Sequence, residues 1–153
     1  LRNTTNRTID ISYWTINASE DIYFGFPPET LIYPGQCFLA VDHLSDAYKT
    51  ANFVLNSSND YRYPRIGFRN ANFYLELRDS KGNVMDKVGD GSIPFFGGIS
   101  SSKVYSMERK ANFGDGTKKE NWYKCNSSKG GTYVSENHNE KTICTPGEPN
   151  SSE

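Results

Sequence analysis

Histidine is nearly absent from this chain, and so are the residue patterns of common catalytic sites. The two histidines, His43 and His138, fall in polar segments, where a solvated side chain is the usual outcome. No glycine-rich phosphate loop, His/Cys metal cluster or nucleophile elbow occurs in the sequence. Catalysis needs acids, bases or nucleophiles that converge in one pocket, so the sequence predicts a protein that is not an enzyme.

Long apolar runs and an excess charge of one sign are also lacking. No run approaches the roughly 18–20 apolar residues that span a bilayer, so we expect no membrane insertion. The net charge of −1 gives no electrostatic basis for binding nucleic acid or an anionic membrane. The first residues, LRNTTNRT, lack the apolar core of a signal peptide, so we expect any export signal to lie upstream or to have been removed.

The helix formers Ala and Leu are scarce, whereas aromatic residues are abundant. Ten tyrosines and nine phenylalanines carry much of the apolar area, and aromatic side chains favour strands. A chain of 153 residues is long enough for one domain with its own core. We therefore predict a single all-β domain over residues 1–153.

The clearest strand pattern lies between residues 67 and 88. Residues 73–78 alternate, with Phe73, Leu75 and Leu77 on one face and Tyr74, Glu76 and Arg78 on the other. The following Asp79-Ser80-Lys81-Gly82 suits a type I turn. Residues 83–88 would then return as the partner strand with Val84 and Val88 facing inward. This pattern predicts a β-hairpin in the middle of a β-sandwich.

Further strands are predicted on both sides of the hairpin. Residues 8–16 alternate up to Trp14, where a bulge or bend would let Ile11, Trp14 and Ile16 all reach the core. Residues 37–41 are nearly all apolar and predict a central strand, and residues 104–109 predict another. Glu108 and Arg109 in the latter are expected to make structural contacts at a sheet edge. The remaining segments are predicted to be an insertion at about residues 42–65, with a short helix, and a loop at residues 89–102.

Short signatures follow one another in order along nearly the whole chain. They are residues 1–3, residues 9–16, Phe26-Pro27 with Thr30-Leu31 and Pro34-Gly35, residues 67–70 with 75–88, residues 106–109, Asn121-Trp122, and residues 145–147 with Pro149-Asn150. They resemble the patterns E-L-x-N, hydrophobic-D-L-S-x-W-x-L, F-P-x-G-T-x-L-x-P-G, G-L-x-N…L-x-D-x-x-G-x-x-V-D, S-L-E-R, N-W and T-P-G-x-P-N of the lamin tail domain. This resemblance implies an immunoglobulin-like β-sandwich, a fold that the family shares between nuclear lamins and many secreted proteins.

The chain departs from the family pattern in three places. The family's opening strand, before E-L-x-N, is missing, so it either lies upstream or is supplied by another chain. An open sheet edge is a template for strand pairing, and it would permit self-association. Two insertions, at about residues 42–65 and in the cysteine-flanked loop 125–144, are longer than the family's loops. The basic patch of nuclear lamin tails has no residue-by-residue counterpart, so no nucleic-acid or chromatin binding is carried over.

The three cysteines lie in different surroundings. Cys125 and Cys144 flank a polar stretch, where a disulfide would close a loop and stabilise the fold by about 3 kcal/mol. Cys37 lies in the apolar run QCFLAV and is predicted to be a small buried hydrophobe. The alternative is that all three are free thiols of a cytosolic protein.

Asn-x-Ser/Thr sites are unusually frequent. The six glycosylation candidates are Asn3, Asn6, Asn17, Asn56, Asn126 and Asn150. A sequence rich in Asn and Ser also yields such sites without any glycosylation. Taken with the predicted disulfide, they favour an extracellular or cell-surface location.

Aromatic residues in predicted loops are the candidate partner contacts. Phe95 and Phe96 lie between glycines and either tuck under the sandwich or form an exposed apolar tip. Tyr48, Tyr61 and Tyr63 either contact sugars or a protein partner, or cover the ends of the sandwich.

Several aspartates stand in or near predicted turns. Loops that bring such carboxylates together can bind Ca²⁺, but single turn aspartates usually cap backbone amides, so we predict no metal or other cofactor. The residues concerned are Asp79, Asp86, Asp90 and Asp115.

The sequence thus predicts a non-catalytic structural or adhesive module of a secreted or cell-surface protein, or a subunit of an extracellular filament or surface assembly. Its partners would be proteins, including copies of itself paired through an open sheet edge, with carbohydrate as a further ligand. The alternative is an accessory targeting domain of a secreted hydrolase or nuclease, because lamin tail domains often accompany such enzymes.

Overall fold

The computed structural model describes residues 1–18, 21–38, 40–42, 61–63, 71–96, 98–100, 103–111, 113–125, 131–134, 141–145 and 150. For residues 21–23, 40–42, 61–63, 98–100, 103–104, 131–134 and 141–144 it describes the backbone alone. The predicted short helix, both histidines and Tyr48 lie outside the described residues.

Short strands make up nearly all the regular structure of this part of the chain. In chain order they are β1 (Ile9–Asp10), β2 (Thr15–Ala18), β3 (Asp21–Gly25), β4 (Leu31–Ile32), β5 (Ala40–Asp42), β6 (Tyr61–Tyr63), β7 (Leu75–Arg78), β8 (Val84–Val88), β9 (Gly98–Ser100), β10 (Lys103–Tyr105), β11 (Met107–Arg109), β12 (Trp122–Lys124), β13 (Gly131–Val134) and β14 (Lys141–Cys144). A 3₁₀ helix, Lys119–Asn121, precedes β12. Within the described residues, no helix has the length and apolar character needed to cross a membrane. The predicted all-β class is confirmed.

The strands pair into two four-stranded and three two-stranded sheets. One four-stranded sheet is antiparallel, in the order β3-β2-β7-β8, and the other has the order β13-β14-β10-β9 with β10 and β14 parallel. The antiparallel pairs β1-β4 and β11-β12 and the parallel pair β5-β6 complete the set. At the start of the chain, Asn3 N–H donates to Gln36 O and Gly35 N–H to Asn3 O, each at 2.9 Å, so residues 1–3 run beside residues 35–38.

The hydrophobic core joins the β1-β4 pair to the β3-β2-β7-β8 sheet. Three of its rings are packed edge to face, with centroids 4.7 Å apart for Phe24 and Phe26 and 5.4 Å apart for Phe26 and Phe38. Edge-to-face packing is favourable for aromatic rings and adds to the hydrophobic gain of burying them. The remaining members are Ile11 and Ile32, with Ile9, Trp14, Ile16 and Leu77 packed against them.

A turn between β1 and β2 explains how residues on both sides of Trp14 reach this core. Tyr13 has a φ of +62°, and Trp14 N–H donates to Ile11 O at 3.1 Å. The turn brings Ile11 into the core and places Trp14 and Ile16 against it, so the predicted bend is confirmed. Tyr13 itself is exposed.

The β7-β8 hairpin is confirmed, but one of its predicted inward residues is not. Gly82, with a φ of +85°, donates its N–H to Asp79 O, as the predicted type I turn requires. Val84 is 41 % exposed instead of buried. The register shifts by one residue between Leu77 and Arg78, so Val84 lies opposite Arg78 and on the outer face. A bulge adds one residue to a strand and therefore reverses its alternation.

Two predictions for the first half of the chain are wrong in part. Of the predicted central strand at residues 37–41, Ala40 and Val41 belong to β5 (Ala40–Asp42), Phe38 lies outside any strand, and β5 pairs with β6 alone among the described strands. Cys37 is half-buried and takes part in an isolated bridge with Arg2, so it is not the fully buried residue predicted. The predicted insertion at residues 42–65 contains β6, which pairs with β5.

The second half of the chain has more strand than predicted. Residues 98–100 of the predicted loop form β9, and the predicted strand 104–109 is divided between β10 and β11, which belong to different sheets. The cysteine-flanked segment 125–144 contains β13 and β14, which pair with each other antiparallel. These pairings join segments distant in sequence, which local alternation does not reveal.

Candidate functional site

A cluster around the Arg109 side chain joins β11 to the edge of the β3-β2-β7-β8 sheet. Arg109 Nη1 donates to Asp86 Oδ2 at 2.5 Å, and Nη2 donates to Gly114 O. The Arg109 Cζ atom lies 5.5 Å from the centre of the Trp122 ring, within the range of a cation–π contact. We refer to Asp86, Arg109, Gly114, Gly116 and Trp122 as the Arg109 cluster.

Gly116 connects this cluster to β8, the edge strand of its sheet. Gly116 O accepts hydrogen bonds from Gly89 N–H at 3.1 Å and from Trp122 Nε1–H at 2.9 Å. A Cβ atom at Gly116 would lie 1.9 Å from Lys87 O, so the loop that carries Gly116 lies directly against the edge of β8 that faces away from β7. The N–H of Lys87 donates to Asp86 Oδ1 at 2.8 Å. The backbone groups of β8 around Lys87 and Gly89 are thereby shielded from pairing with another strand.

Residues near the C-terminus are attached to the same strand. Thr145 Oγ1 donates to Glu108 Oε1 at 2.6 Å, and Asn150 Nδ2 donates to Arg109 O at 2.7 Å. The sequence predicted structural contacts for Glu108 and Arg109 at a sheet edge, and these bonds confirm it.

The chemistry of the Arg109 cluster is suited to holding elements together. A guanidinium group stays charged and can only donate hydrogen bonds, and an indole N–H is a donor as well. Arg109 offers its donors to a carboxylate and a carbonyl, and Trp122 donates to a carbonyl. Among the described residues, the buried Arg109 Nε and Ser106 Oγ have no hydrogen-bond partner. The cluster therefore provides attachment points between strands.

A second polar cluster lies on the outer face of β7 and β8. Glu76 is only 8 % exposed, and it accepts hydrogen bonds from Tyr74 Oη at 2.7 Å and Arg78 Nε at 2.8 Å. Lys87 Nζ lies 3.5 Å from Glu76 Oε1 and 5.9 Å from the centre of the Tyr74 ring. The Tyr74 hydrogen bond is the main cause that lowers the pKa of Glu76, helped by Arg78 and Lys87. The sequence placed Tyr74, Glu76 and Arg78 on one face but did not predict that a carboxylate is buried there.

All four aspartates that stand in or near predicted turns accept hydrogen bonds from backbone amides, as predicted. Asp79 Oδ1 accepts from Asn83 N–H at 2.8 Å, and Asp90 Oδ1 and Asp115 Oδ1 accept from N–H groups two residues later at 2.9 Å. Hydrogen bonds from Asn83, Ser92 and Thr117 are the main causes that lower the pKa values of these carboxyl groups. Asp86, in β8, accepts from Lys87 N–H at 2.8 Å and also forms an ion pair with Arg109. Among the described residues, no three or more His, Cys, Asp or Glu side chains lie together in a group that could hold a metal ion.

The candidate partner contacts and the disulfide are described only in part. Phe95 and Phe96 are half-buried, and Lys119 Nζ lies 5.2 Å from the centre of the Phe96 ring. Tyr61 and Tyr63 lie in β6, where only the backbone is described. Cys125 is buried, but the side chain of Cys144 lies outside the described residues, so the disulfide stays a prediction.

The glycosylation candidates differ in exposure. Asn6 is exposed, Asn150 is half-buried, and Asn3 and Asn17 are buried. The burial of Asn3 and Asn17 argues against a glycan on either residue in the folded chain. Asn56 and Asn126 lie outside the described residues.

Comparison with protein-family models, with curated proteins and with solved structures yields no match to this chain.

Proposed function

We propose that this chain is an immunoglobulin-like β-sandwich of the lamin-tail type that serves as a non-catalytic structural or adhesive module of a secreted or cell-surface protein. One observation carries the proposal, namely that residues from separate signatures of the resemblance meet at Glu108 and Arg109 of β11. They are Asp86 of the hairpin signature, Glu108 and Arg109 of S-L-E-R, Trp122 of N-W, and Thr145 and Asn150 of T-P-G-x-P-N.

Such convergence has a physical basis. Residues of signatures that lie far apart in the sequence contact one another in the fold. Here the contacts are hydrogen bonds and an ion pair. The resemblance rested on residue order, and these contacts between its signatures support it.

The turn at Glu29 also supports the proposed fold. Glu29 occupies the position of glycine in the F-P-x-G-T signature, and its φ of +61° lies in the left-handed region that glycine adopts without steric cost. Thr30, the next residue of the signature, is buried and donates its hydroxyl to Pro27 O at 2.7 Å. The backbone at this turn thus has the conformation that the signature requires.

Several exposed apolar side chains are available for contacts in the proposed adhesive role. Ile93 is 69 % exposed, and Tyr13, Tyr33, Met85 and Phe113 are exposed as well. Tyr13 and Phe113 have left-handed backbones, with φ values of +62° and +44°. Aromatic residues and Met are enriched where proteins contact one another.

Self-association is proposed to use an edge other than the shielded part of β8. The other edge strands of the four-stranded sheets are β3, β9 and β13. Strand addition at one of these edges would leave the Arg109 cluster intact.

The native mass of the protein as secreted tests this proposal. We expect the chain to be recovered outside the cell, and light scattering to give an assembly, or a complex with a surface partner, whose mass exceeds 17.3 kDa several-fold. A chain that stays in the cytosol as a monomer at all concentrations would contradict the proposed role. Turnover of a substrate by the purified chain would contradict its non-catalytic character.

A further inference from the structure

The four Asn-x-Ser/Thr sites whose asparagine is described are not equivalent in the folded chain, and Asn3 is the most constrained. Both hydrogens of its side-chain amide are donated, to Arg7 O and Ile32 O, each at 2.8 Å. Its Oδ1 accepts from the N–H of Thr5 at 2.9 Å and from its hydroxyl at 2.8 Å. With the residue 2 % exposed, Asn3 has neither a spare N–H nor space for a sugar.

Asn17 and Asn150 are constrained in other ways. Asn17 is 8 % exposed and lies in β2, a strand with neighbours on both sides, where its partners in register are Ile22 and Glu76. Asn150 Nδ2 donates to Arg109 O, the bond that attaches this residue to β11. A sugar on either amide would crowd strand neighbours or disturb this attachment.

Asn6 lies in the opposite environment. It belongs to the bend at residues 5–7, between the pairing of residues 1–3 and the start of β1, and all of Asn6, Arg7 and Thr8 are exposed. The sequon is therefore accessible over its whole length, including the Thr8 hydroxyl that an oligosaccharyltransferase must recognise.

We propose that Asn6 is the glycan-attachment site of the folded chain among these four, and that Asn3, Asn17 and Asn150 remain unmodified. The donor is an oligosaccharide linked to a lipid pyrophosphate. A bond forms between Asn6 Nδ2 and C1 of the first sugar while the bond from C1 to the phosphate oxygen breaks. The lipid pyrophosphate leaves with the electron pair, and a proton from Nδ2 passes to a base of the transferase. This site rests on the proposed extracellular location.

A reaction with purified components tests the site without reference to location. The full chain, purified folded from a host that lacks N-glycosylation, is incubated with an oligosaccharyltransferase and its lipid-linked donor, beside a denatured and proteolysed sample. We expect mass spectrometry of the folded sample to show at least tenfold higher occupancy at Asn6 than at Asn3, Asn17 or Asn150. In the proteolysed sample Asn3 should be modified too, because only folding protects it.

Two variants complete the test. N6Q should abolish modification of this segment and leave the unfolding temperature unchanged, and T8V should abolish modification with Asn6 still present. Comparable occupancy of Asn3 and Asn6 in the folded sample, or no occupancy of Asn6 in either sample, would overturn the proposal. Recovery of the native protein from outside the cell separately tests the proposed location, so the glycan site and the extracellular location can fail independently.

Discussion

At the scale of single residues, buried polar side chains hold loops and strands together through well-formed hydrogen-bond sets. Asn3 donates both hydrogens of its side-chain amide, to Arg7 O and to Ile32 O of β4, and its Oδ1 accepts two hydrogen bonds from Thr5. Glu76 plays a comparable part on the outer face of β7, where a hydroxyl and a guanidinium surround its carboxylate. Buried polar groups are costly when they lose such partners, so these residues should be sensitive to substitution.

Replacement of Asn3 tests this sensitivity. N3A leaves the carbonyls of Arg7 and Ile32 without their donor, so we expect the free energy of unfolding to fall by about 2–4 kcal/mol. Urea denaturation of the variant measures the loss. N6A is the matched control, because Asn6 is exposed, and should change stability by less than about 0.5 kcal/mol. Equal effects of the two substitutions would contradict the structural role of Asn3.

Glu76 should make the stability of the protein depend on pH on the acid side. Its pKa is lower in the folded chain than in the unfolded chain, so the unfolded state binds the proton first as the pH falls. The stabilisation that Glu76 contributes is complete above the ordinary glutamate pKa of about 4.3. It is lost as the pH falls through the lower pKa of Glu76 in the folded chain. E76Q should therefore have a lower unfolding temperature than wild type at pH 7, and the difference should narrow towards pH 2.5.

Thermal unfolding between pH 7 and pH 2.5 measures this difference. E76Q should still lose stability as the pH falls, because hydrogen bonds also lower the pKa values of Asp79, Asp90 and Asp115. E120Q, at an exposed position, is the control and should follow wild type at every pH. A difference in unfolding temperature between E76Q and wild type that is the same at every pH would show that the charge of the Glu76 carboxylate does not contribute to stability.

At the scale of strands and turns, the features that could be predicted from the sequence are those determined by residues close together in the chain. The turn at residues 79–82 could be predicted because Asp79 caps Asn83 N–H and Gly82 adopts a positive φ, and both effects act within five residues. The outward position of Val84 could not, because a bulge reverses the face without changing the apolar pattern.

The candidate site shows the same division. Arg109 could be predicted to make structural contacts, but its partner Asp86 is 23 residues away, and no pattern within β11 points to it. The parallel pairing of β10 with β14 was hidden for the same reason, since it joins residues 103–105 to residues 141–143. Long-range pairing is decided by packing of the whole chain, which alternation along one segment does not encode.

Gly116 provides a test of how the loop closes the edge of β8. In G116A the new Cβ would meet Lys87 O, so the loop must move away from the strand, at an expected cost of about 1–3 kcal/mol. The amide of Gly89, which donates to Gly116 O, should then exchange its hydrogen faster with solvent. G25A is the control, because no other atom lies within 4 Å of its Cβ. Unchanged exchange at Gly89 in G116A would contradict the contact.

At the scale of the whole molecule, the Arg109 cluster links several segments and shields part of a sheet edge. Its members come from β8, β11, the loop at residues 113–118 and β12, and Asn150 is attached beside them. One residue therefore stabilises contacts between segments that are distant in the sequence. Loss of Arg109 should affect both the stability of the fold and the solubility of the chain, because the exposed edge could then pair with another molecule.

The substitution R109K separates charge from geometry at this position. Lysine keeps the positive charge but lacks the planar fork that reaches Asp86 and Gly114 together, so at least one of these bonds must be lost. We expect the free energy of unfolding to fall by about 2–4 kcal/mol, since the pair is partly buried and a remaining partner loses its bond. Denaturation in urea measures this loss, with K110R at a neighbouring exposed position as the control.

The same variant tests whether the cluster protects the edge of β8. Without the fork, the loop that carries Gly116 is less firmly held, and the N–H groups of Lys87 and Gly89 become available to a second chain. Light scattering at matched concentrations should then show more association for R109K than for wild type, and faster hydrogen exchange at both amides should accompany it. If R109K associated more while both amides stayed protected, the new contact would lie elsewhere, and β8 would have no part in it.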